Sequence, residues 1–181
     1  PVNKKPIDYS KPVFVQPKLD GVRCVIQYEG KSSVDPRVVA YSRTGKQWKN
    51  IEHICMQLKP FFQKYPDVIL DGELYNHDFK DDFEQIISMV RKTKPTDEAR
   101  LISAENVQFH CYDIIDETMT FEERNEWIES NLQESYCIDL VSTSKITAEP
   151  AAKMTHKINL ANGYEGSIVR LDTPYQCKRS H

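Results

Sequence analysis

The sequence predicts an α+β fold in which antiparallel β-sheets are flanked by helices. Two observations lead to this prediction. Seven short runs are rich in apolar, β-branched and aromatic residues, as strands are. Stretches between the later runs instead repeat apolar residues with the period of a helix. The early strand-like runs follow one another closely and helical patterns separate the later ones, a mixture that favours antiparallel sheets over a regular parallel one.

The first predicted strand is apolar and partly β-branched, and a turn that Gly21 permits follows it at once. A second strand-like run begins directly after that turn. Lys18 therefore lies at a strand end, where a rigid scaffold can present a reactive group. In chain order, the predicted strands cover residues 13–17, 22–28, 37–42, 67–72, 107–115, 137–142 and 166–171.

Four stretches have helical patterns. The first two repeat apolar residues at helical spacing. Thr120 followed by Glu123 has the spacing of a capping box, which predicts the start of the third helix. The fourth carries Pro150 near its start and Gly163 just past its end, the usual asymmetry of helix termini. The predicted helices cover residues 51–65, 78–91, 121–132 and 149–162.

Composition is ordinary for a soluble globular protein. The 181 residues suffice for one sizeable core or two small lobes. No apolar run approaches the roughly 20 residues that span a bilayer, so no membrane partner is expected. The formal net charge of −3 argues against a free-standing nucleic-acid binder, which usually carries a basic excess. A net charge of −3 does not exclude a cluster of basic residues on one face of the protein.

The five cysteines are widely spaced and form no Cys-x-x-Cys pair, which argues against a zinc site. Several lie within apolar strand patterns. They therefore indicate reduced core thiols in a cytoplasmic or nuclear compartment, and a phage- or virus-infected cell is compatible with this setting.

Four short motifs lie at or beside predicted strand ends: "KLDGVR" from Lys18, "LDGELY" with Glu73, "FHCYDII" with Tyr112, and "YEGSIVR" with Glu165. Each alone has an ordinary interpretation as a turn, a solvated carboxylate or a core aromatic. Together they supply a lysine nucleophile, two carboxylates for a divalent cation, an aromatic face for a base and an arginine for a phosphate. Nucleotidyl transfer needs those parts.

These four motifs resemble, in the same order, motifs I, III, IIIa and IV of the covalent nucleotidyltransferases. The match covers most of the chain and is similar to the adenylation domain of ATP-dependent DNA ligases of the small viral or phage type. Residues 42–46, within "YSRTGKQW", also resemble the Ser-Arg-x-Gly element of DNA ligases. Four motifs in register make a chance match improbable. The resemblance implies an ATP-grasp-like fold that binds the nucleotide in a cleft between sheets.

The resemblance also implies roles for individual residues. Lys18 would attack the α-phosphorus of ATP and hold AMP through a phosphoramidate. Gln16 and Leu19 would lie at the nucleotide site beside it, and Tyr112 would stack on adenine. Arg23 would contact the ribose or the phosphate at a nick.

The remaining roles concern metal and DNA. Glu73 would bind the ribose hydroxyl or a metal, and Glu165 would bind the catalytic metal, Mg²⁺. Arg43 would contact the DNA backbone. The implied partners are ATP and nicked double-stranded DNA, bound by a monomeric enzyme that transfers AMP to the 5′-phosphate of the nick for sealing by the 3′-hydroxyl.

One family element is not found. A free lysine has a pKa of about 10.4 and must be activated, which the family achieves with a metal and with a second lysine in motif V. Here Lys178 and Arg179 resemble the basic run just before motif V. The expectation is therefore an adenylation domain, residues 1–181, truncated before motif V, with an oligonucleotide-binding-fold domain in the parent chain.

Other functions stay open at this point. RNA ligases and mRNA-capping guanylyltransferases share the lysine motif, although "SRTGK" and "KLDGVR" favour DNA ligase. A non-catalytic nucleic-acid-binding module would not need to keep the nucleophile, the aromatic and both carboxylates. The basic run "RKTK", residues 91–94, predicts a solvated face or a charge complement to a helix end, and a DNA contact is the less favoured alternative. The acidic run from residue 116 to 129 predicts a solvated helix face.

Overall fold

The computed structural model describes residues 5–177, and within them the chain forms eight β-strands, five α-helices and one 3₁₀-helix. The strands are β1 (Val13–Lys18), β2 (Val22–Glu29), β3 (Arg37–Tyr41), β4 (Leu70–Tyr75), β5 (Gln108–Ile114), β6 (Ile138–Leu140), β7 (Ser144–Ile146) and β8 (Gly166–Leu171). The helices are α1 (Glu52–Lys64), the 3₁₀-helix (His77–Phe79), α2 (Phe83–Val90), α3 (Asp97–Asn106), α4 (Phe121–Asn131) and α5 (Glu149–Ala161).

The strands form two sheets. The larger has the order β3-β2-β4-β5-β6, and the smaller has the order β7-β1-β8. All pairings are antiparallel except that of β5 with β6. Although β1 and β2 are neighbours in sequence, they belong to different sheets. The three-residue turn after Lys18 therefore carries the chain from one sheet to the other.

The larger sheet buries one face in the main core. Successive side chains of a strand point to opposite faces, so every second residue enters this core and the residues between them face the smaller sheet. The opposite face of the larger sheet carries Arg23, Asp71, Glu73 and Tyr112. The core side chains include Cys24, Ile26, Leu70, Leu74, Phe109 and Cys111 from the sheet, with Ile54, Leu58 and Phe62 from α1.

The smaller sheet packs its other face against α5. Val13 and Val15 of β1 are buried there with Ile146, and Val169 of β8 packs against them. Gln16 lies on the opposite face of β1, and its side chain donates a hydrogen bond to the backbone carbonyl of Tyr112 in the larger sheet, at 3.1 Å. The two sheets thus face each other with polar side chains between them.

The structure confirms the predicted α+β class, the antiparallel sheets and the capping box at Thr120, in which both reciprocal hydrogen bonds are present. All five cysteines are free thiols. No helix among residues 5–177 combines the length and the apolar character needed to cross a lipid bilayer. Lys178 and Arg179 lie outside the described residues.

One predicted helix was wrong in its extent, and two elements, β7 and α3, were not predicted. The predicted helix over residues 78–91 is divided, because Asp82 has φ −141° and ψ 72° and so interrupts the helical backbone. Strand β7 is only three residues long and carries little periodic signal. Helix α3 escaped prediction because it buries Ala99 and Ser103 while Leu101 is exposed, so its apolar pattern does not follow its buried face.

Asn50 ties the start of α1 to the two following helices. Its side-chain amide donates to the carbonyls of Met89, at 2.8 Å, and Ala99, at 3.2 Å. Its own backbone carbonyl accepts a hydrogen bond from the Ser103 hydroxyl at 2.6 Å. The carbonyl of Met89 belongs to the last turn of α2, where helices leave carbonyls without intrahelical partners. The buried amide of Asn50 therefore fixes where α2 ends and α3 begins.

We expect Asn50→Ala to lower the free energy of unfolding by about 1–3 kcal/mol, because it removes the donor to two carbonyls in the protein interior. Urea denaturation monitored by circular dichroism measures the loss. The control is Asn125→Ala, since within residues 5–177 the side chain of Asn125 forms one hydrogen bond, to Glu129 at the surface. An equal effect of the two substitutions would show that the Asn50 hydrogen bonds contribute nothing specific.

Candidate functional site

Lys18 is the last residue of β1, opposite Gly166 at the start of β8. Its ammonium nitrogen lies 3.0 Å from Oε1 of Glu165, and both side chains are partly exposed. The pairing of β1 with β8 therefore brings the first and fourth motifs together at one strand end. An ammonium group has no lone pair, so Lys18 must release a proton before it can act as a nucleophile.

Gly21 allows the turn after Lys18 to lie directly against β4. A Cβ atom at this position would be 2.3 Å from the carbonyl oxygen of Leu74 and 2.8 Å from Cγ of Glu73, distances that no real side chain tolerates. Only glycine permits this approach. The turn of the first motif is thereby packed onto β4, the strand that carries the second motif, "LDGELY".

Glu73 lies on β4, opposite Arg23 in the β2–β4 register. Burial raises the pKa of its carboxyl to about 8, and the negative charge of Asp71 adds to this effect, while Arg23 opposes it. At neutral pH the carboxyl is therefore largely protonated in the absence of a cation. It can then donate a hydrogen bond, and a bound cation would favour its ionised form.

Asp71 is buried and holds the Arg23 guanidinium through two hydrogen bonds, of 3.0 and 3.1 Å. The Tyr175 hydroxyl donates to Asp71 at 2.6 Å and accepts from Arg23 at 2.9 Å. Burial alone would lower the pKa of Arg23, but the hydrogen bonds and charge of Asp71 outweigh it and raise that pKa. Arg23 is thus a fixed cation.

Tyr112 lies on β5 between the two sheets. The guanidinium carbon of Arg170 is 5.0 Å from the centre of its ring, a cation–π contact. The buried Gln16 side chain links these residues, because it donates to the Tyr112 carbonyl and accepts from Nε of Arg170 at 3.1 Å. It also donates to the Thr143 hydroxyl at 3.0 Å. Gln16 therefore holds this part of the two sheets together.

Arg124 of α4 is a buried residue that the sequence interpretation missed. It pairs with Asp113 through two hydrogen bonds, of 2.7 and 3.2 Å, and both side chains are almost fully buried. It also donates to the carbonyl of Thr173 at 2.9 Å. The helix face of residues 116–129, which was predicted to be solvated, therefore contains a buried residue, Arg124. The sequence did indicate that Arg124 is buried, because it lies at helical spacing from Phe121 and Ile128, which are also buried.

A cleft of about 800 Å³ opens between the sheets. Of the residues with predicted roles, Arg23, Arg43, Glu73 and Tyr112 line it, and the structure adds Asp71, Arg124, Arg170 and Tyr175. Lys18 and Glu165 do not line this cleft. They lie beside it, at the first residue of β8, and Ile168 two residues further along β8 is part of the lining. Leu19 is buried beside Lys18.

The potential metal ligands are few. No group of three or more His, Cys, Asp or Glu side chains in residues 5–177 is arranged to hold a metal ion. Glu165 lies 3.0 Å from Lys18, Asp20 belongs to the turn that follows Lys18, and Glu73 lies on β4, against which that turn packs. Mg²⁺ commonly uses only one or two carboxylates and completes its shell with water and phosphate oxygens. The donor set therefore fits a cation held mainly by a nucleotide's phosphates.

Comparison with known proteins shows which family this chain matches. The sequence profile of the family described as "ATP dependent DNA ligase domain" matches residues 4–181, which confirms the resemblance drawn from the four motifs. No curated protein sequence matches the chain.

Solved structures share the fold. A structure named Pmar-Lig_PreS3 has a TM-score of 0.71 at 20% identity, over 96% of this chain and 41% of its own. The DNA ligase-adenylate of Chlorella virus has a TM-score of 0.69 at 19% identity, over 97% and 58%. The bacteriophage T7 DNA ligase, in complex with ATP, has a TM-score of 0.65 at 18% identity, over 90% and 57%. This chain thus spans about two to three fifths of these proteins.

We expect the stability of the protein to report the raised pKa of Glu73. The pKa of the Glu73 carboxyl is about 8 in the folded state, whereas the ordinary pKa of a glutamate carboxyl is 4.5. Between these values the folded state binds more protons, so stability falls as the pH rises. Glu73→Gln cannot titrate. Relative to wild type, this variant should therefore gain more than about 1 kcal/mol of stability between pH 5 and pH 8.

Urea denaturation at several pH values measures this difference. Glu105→Gln is the matched control, because it removes an exposed carboxylate of α3 and reports the loss of surface charge alone. If the difference between Glu73→Gln and wild type does not change with pH, the Glu73 carboxyl is not held protonated by its surroundings.

Proposed function

Because this chain belongs to the ATP-dependent DNA ligase domain family, we propose that it carries the adenylation site of an enzyme that seals nicks in double-stranded DNA. The single observation that carries the proposal is the position of Lys18, at the strand end where β1, β8 and the turn against β4 meet. A lysine there has a carboxylate at 3.0 Å and a polar cleft beside it.

Lys18 is the proposed nucleophile. Its Nζ forms a bond to the α-phosphorus of ATP, the bond from that phosphorus to the pyrophosphate oxygen breaks, and pyrophosphate leaves. The Lys18–Glu165 contact holds the ammonium until ATP arrives. Attack requires that this contact open and that the amine lose its proton, either to Glu165 or to solvent. The AMP then passes to the 5′-phosphate of the nick, and the 3′-hydroxyl displaces it.

The cleft supplies the contacts of the nucleotide. Tyr112 offers an aromatic face to adenine, and stacking of a base on an aromatic side chain is worth about 1–3 kcal/mol in single-strand binding proteins. Gln16 fixes the backbone of Tyr112 through its hydrogen bond to the Tyr112 carbonyl, and Leu19 is buried next to Lys18. While no metal ion is bound to it, the protonated Glu73 can donate to a ribose hydroxyl, and this role is an alternative to metal binding.

Mg²⁺ is the proposed metal, with Glu73 and Glu165 as its protein ligands. When bound, it neutralises charge on the phosphates. Binding would draw Glu165 away from Lys18 and would favour the ionised form of Glu73.

Arg23 and Arg43 are the proposed contacts to the nick. Arg23 is held in the cleft wall by Asp71, and Arg43 lies in the exposed turn after β3 at the rim of the cleft. We further propose that an oligonucleotide-binding-fold domain of the parent chain closes over the DNA. The protein would act as a monomer in a reducing compartment.

Incubation with Mg²⁺ and ATP labelled at the α-phosphate, followed by peptide mapping, tests the proposal. We expect the label on Lys18. Lys18→Ala should abolish it, and so should Lys18→Arg, because a guanidinium is not deprotonated in proteins. Lys11→Ala, which removes an exposed lysine just before β1, is the matched control and should label normally.

Label that persists in Lys18→Ala would contradict the proposal. Preferential labelling by GTP would instead indicate a capping guanylyltransferase. Transfer of AMP to nicked duplexes with DNA or RNA strands distinguishes a DNA ligase from an RNA ligase.

A further inference from the structure

The position of the Glu165 carboxylate is not fixed by strand pairing. The pairing of β1 with β8 ends at Lys18 and Gly166, so Glu165 lies one residue outside the sheet. Its side chain is 49% exposed, although it lies 3.0 Å from the ammonium group of Lys18. Segments at the ends of elements open easily unless other contacts hold them. The place of Glu165 therefore depends on what holds the turn before it, residues 162–164.

His77 contacts this turn in two ways. It begins the 3₁₀-helix that follows β4, and its Nε2 lies 2.8 Å from the carbonyl oxygen of Asn162. Its ring stacks on that of Tyr164, with 4.3 Å between the ring centres and 30° between the planes. Tyr164 immediately precedes Glu165. His77 therefore contacts both the first and the last residue of the turn.

The hydrogen bonds of His77 define its tautomer. A carbonyl oxygen only accepts, so Nε2 carries the hydrogen that is donated to Asn162. In the neutral ring Nδ1 then accepts, and the Tyr75 hydroxyl donates to it at 2.6 Å. Tyr75 is buried, and its ring lies edge-on to that of His110 with 5.2 Å between their centres. Both nitrogens of His77 thus have partners, and a buried tyrosine fixes the orientation of its ring.

The end of α5 shapes the turn that His77 contacts. The Asn162 carbonyl belongs to the last turn of the helix, where carbonyls have no intrahelical partner. Gly163 has φ +86°, in the left-handed region that commonly ends helices at glycine. A Cβ atom at Gly163 would lie only 2.7 Å from Cε of Lys80. The turn therefore packs closely against the segment that follows β4.

The contacts of His77 join the two sheets. Glu73, Tyr75 and His77 follow one another along β4 and its extension, which belong to the larger sheet. Asn76 fastens this extension, because its buried side chain donates to the carbonyl of Asn106 at 2.7 Å. The turn that His77 holds leads into β8 of the smaller sheet. One short link thus relates the strand that carries one candidate metal ligand to the turn before the other.

The contacts on the other side of Glu165 stay within the smaller sheet and its helix. Ser167 of β8 is held by two side chains of α5, since its hydroxyl lies 2.9 Å from Nδ1 of His156 and accepts from the Asn159 amide at 2.8 Å. These contacts fasten β8 to α5. They do not relate Glu165 to the larger sheet, whereas the contacts of His77 do.

We propose that His77 is a positioning residue for nucleotidyl transfer. Acting through the turn of residues 162–164, it holds the carboxylate of Glu165 beside Lys18. This inference rests on the proposed function and adds a residue that does not line the cleft. Reacting groups must be held within about 0.5 Å of their working positions. Because Tyr112 and the other expected nucleotide contacts lie elsewhere, loss of His77 should slow adenylation without weakening ATP binding.

The experiment follows the formation of lysine-AMP by intact mass, in single turnovers with Mg²⁺ and increasing ATP. His77→Ala removes both contacts with the turn. A misplacement of 1 Å can cost about 10²-fold in rate. We therefore expect the rate at saturating ATP to fall by about 10- to 100-fold, while the ATP concentration that gives half of this rate stays the same. His77→Gln keeps a donor for the Asn162 carbonyl and should recover part of the rate.

Hydrogen–deuterium exchange without ATP or metal tests the same link independently of activity. In His77→Ala the amides of residues 162–166 should exchange faster, while those of the larger sheet stay protected. The matched control is His53→Ala. His53 also lies 2.8 Å from a backbone carbonyl, that of Val107, but belongs to α1 on the opposite face of the larger sheet. This variant should keep the wild-type adenylation rate and the wild-type exchange of residues 162–166.

A wild-type adenylation rate in His77→Ala would overturn the inference while leaving the proposed function standing. A loss of rate accompanied by an equal loss of ATP affinity, or by faster exchange throughout the larger sheet, would also overturn it, because His77 would then support the fold in general. Failure of wild type to form lysine-AMP would instead refute the proposed function, and the inference with it.

Discussion

The arrangement of the cleft depends on one buried carboxylate, that of Asp71. Only 3% of this residue is exposed, and its oxygens accept hydrogen bonds from Arg23 and Tyr175. The Arg23 side chain is 37% exposed, so solvent screens this pair and losing one partner costs less than the about 3–5 kcal/mol typical of a fully buried pair. The two hydrogen bonds still fix the orientation of the guanidinium. Asp71 therefore determines where Arg23 lies, and its charge helps to keep the neighbouring Glu73 protonated.

A second ion pair, which is almost fully buried, lies on the neighbouring strand of the same sheet, where Asp113 is opposite Asp71. Asp113 and Arg124 tie β5 to α4, and Arg124 also holds the chain that follows β8 through Thr173. Asp172 adds a hydrogen bond to the backbone of Glu122 at the start of α4, at 2.9 Å. These contacts place the Tyr175 hydroxyl within hydrogen-bonding distance of Asp71. The two ionic pairs are thus linked by one short segment, and together they position the cleft's polar groups before any ligand binds, which reduces the reorganisation that catalysis requires.

Much of this could be predicted from the sequence. The fold class and the position of Lys18 at a strand end follow from local patterns. The prediction that Glu73 follows a strand was wrong, because β4 spans Leu70–Tyr75 and places Glu73 inside the strand. Arg124 could also have been found, from its helical spacing with Phe121 and Ile128. Tyr175 could not, because an isolated tyrosine in a proline-containing loop gives no signal of its long-range partners.

The most direct test of the role of Asp71 is the pKa of the Glu73 carboxyl, measured by carbon-detected NMR titration in wild type and in Asp71→Asn. Wild type should titrate near pH 8. In Asp71→Asn the repulsion from the neighbouring carboxylate is gone while the attraction of Arg23 remains, so the Glu73 pKa should fall. Asp35→Asn, at an exposed position between β2 and β3, should leave it unchanged. A Glu73 carboxyl that titrates at the same pH in Asp71→Asn as in wild type would contradict the claim that Asp71 sets the electrostatics of the cleft.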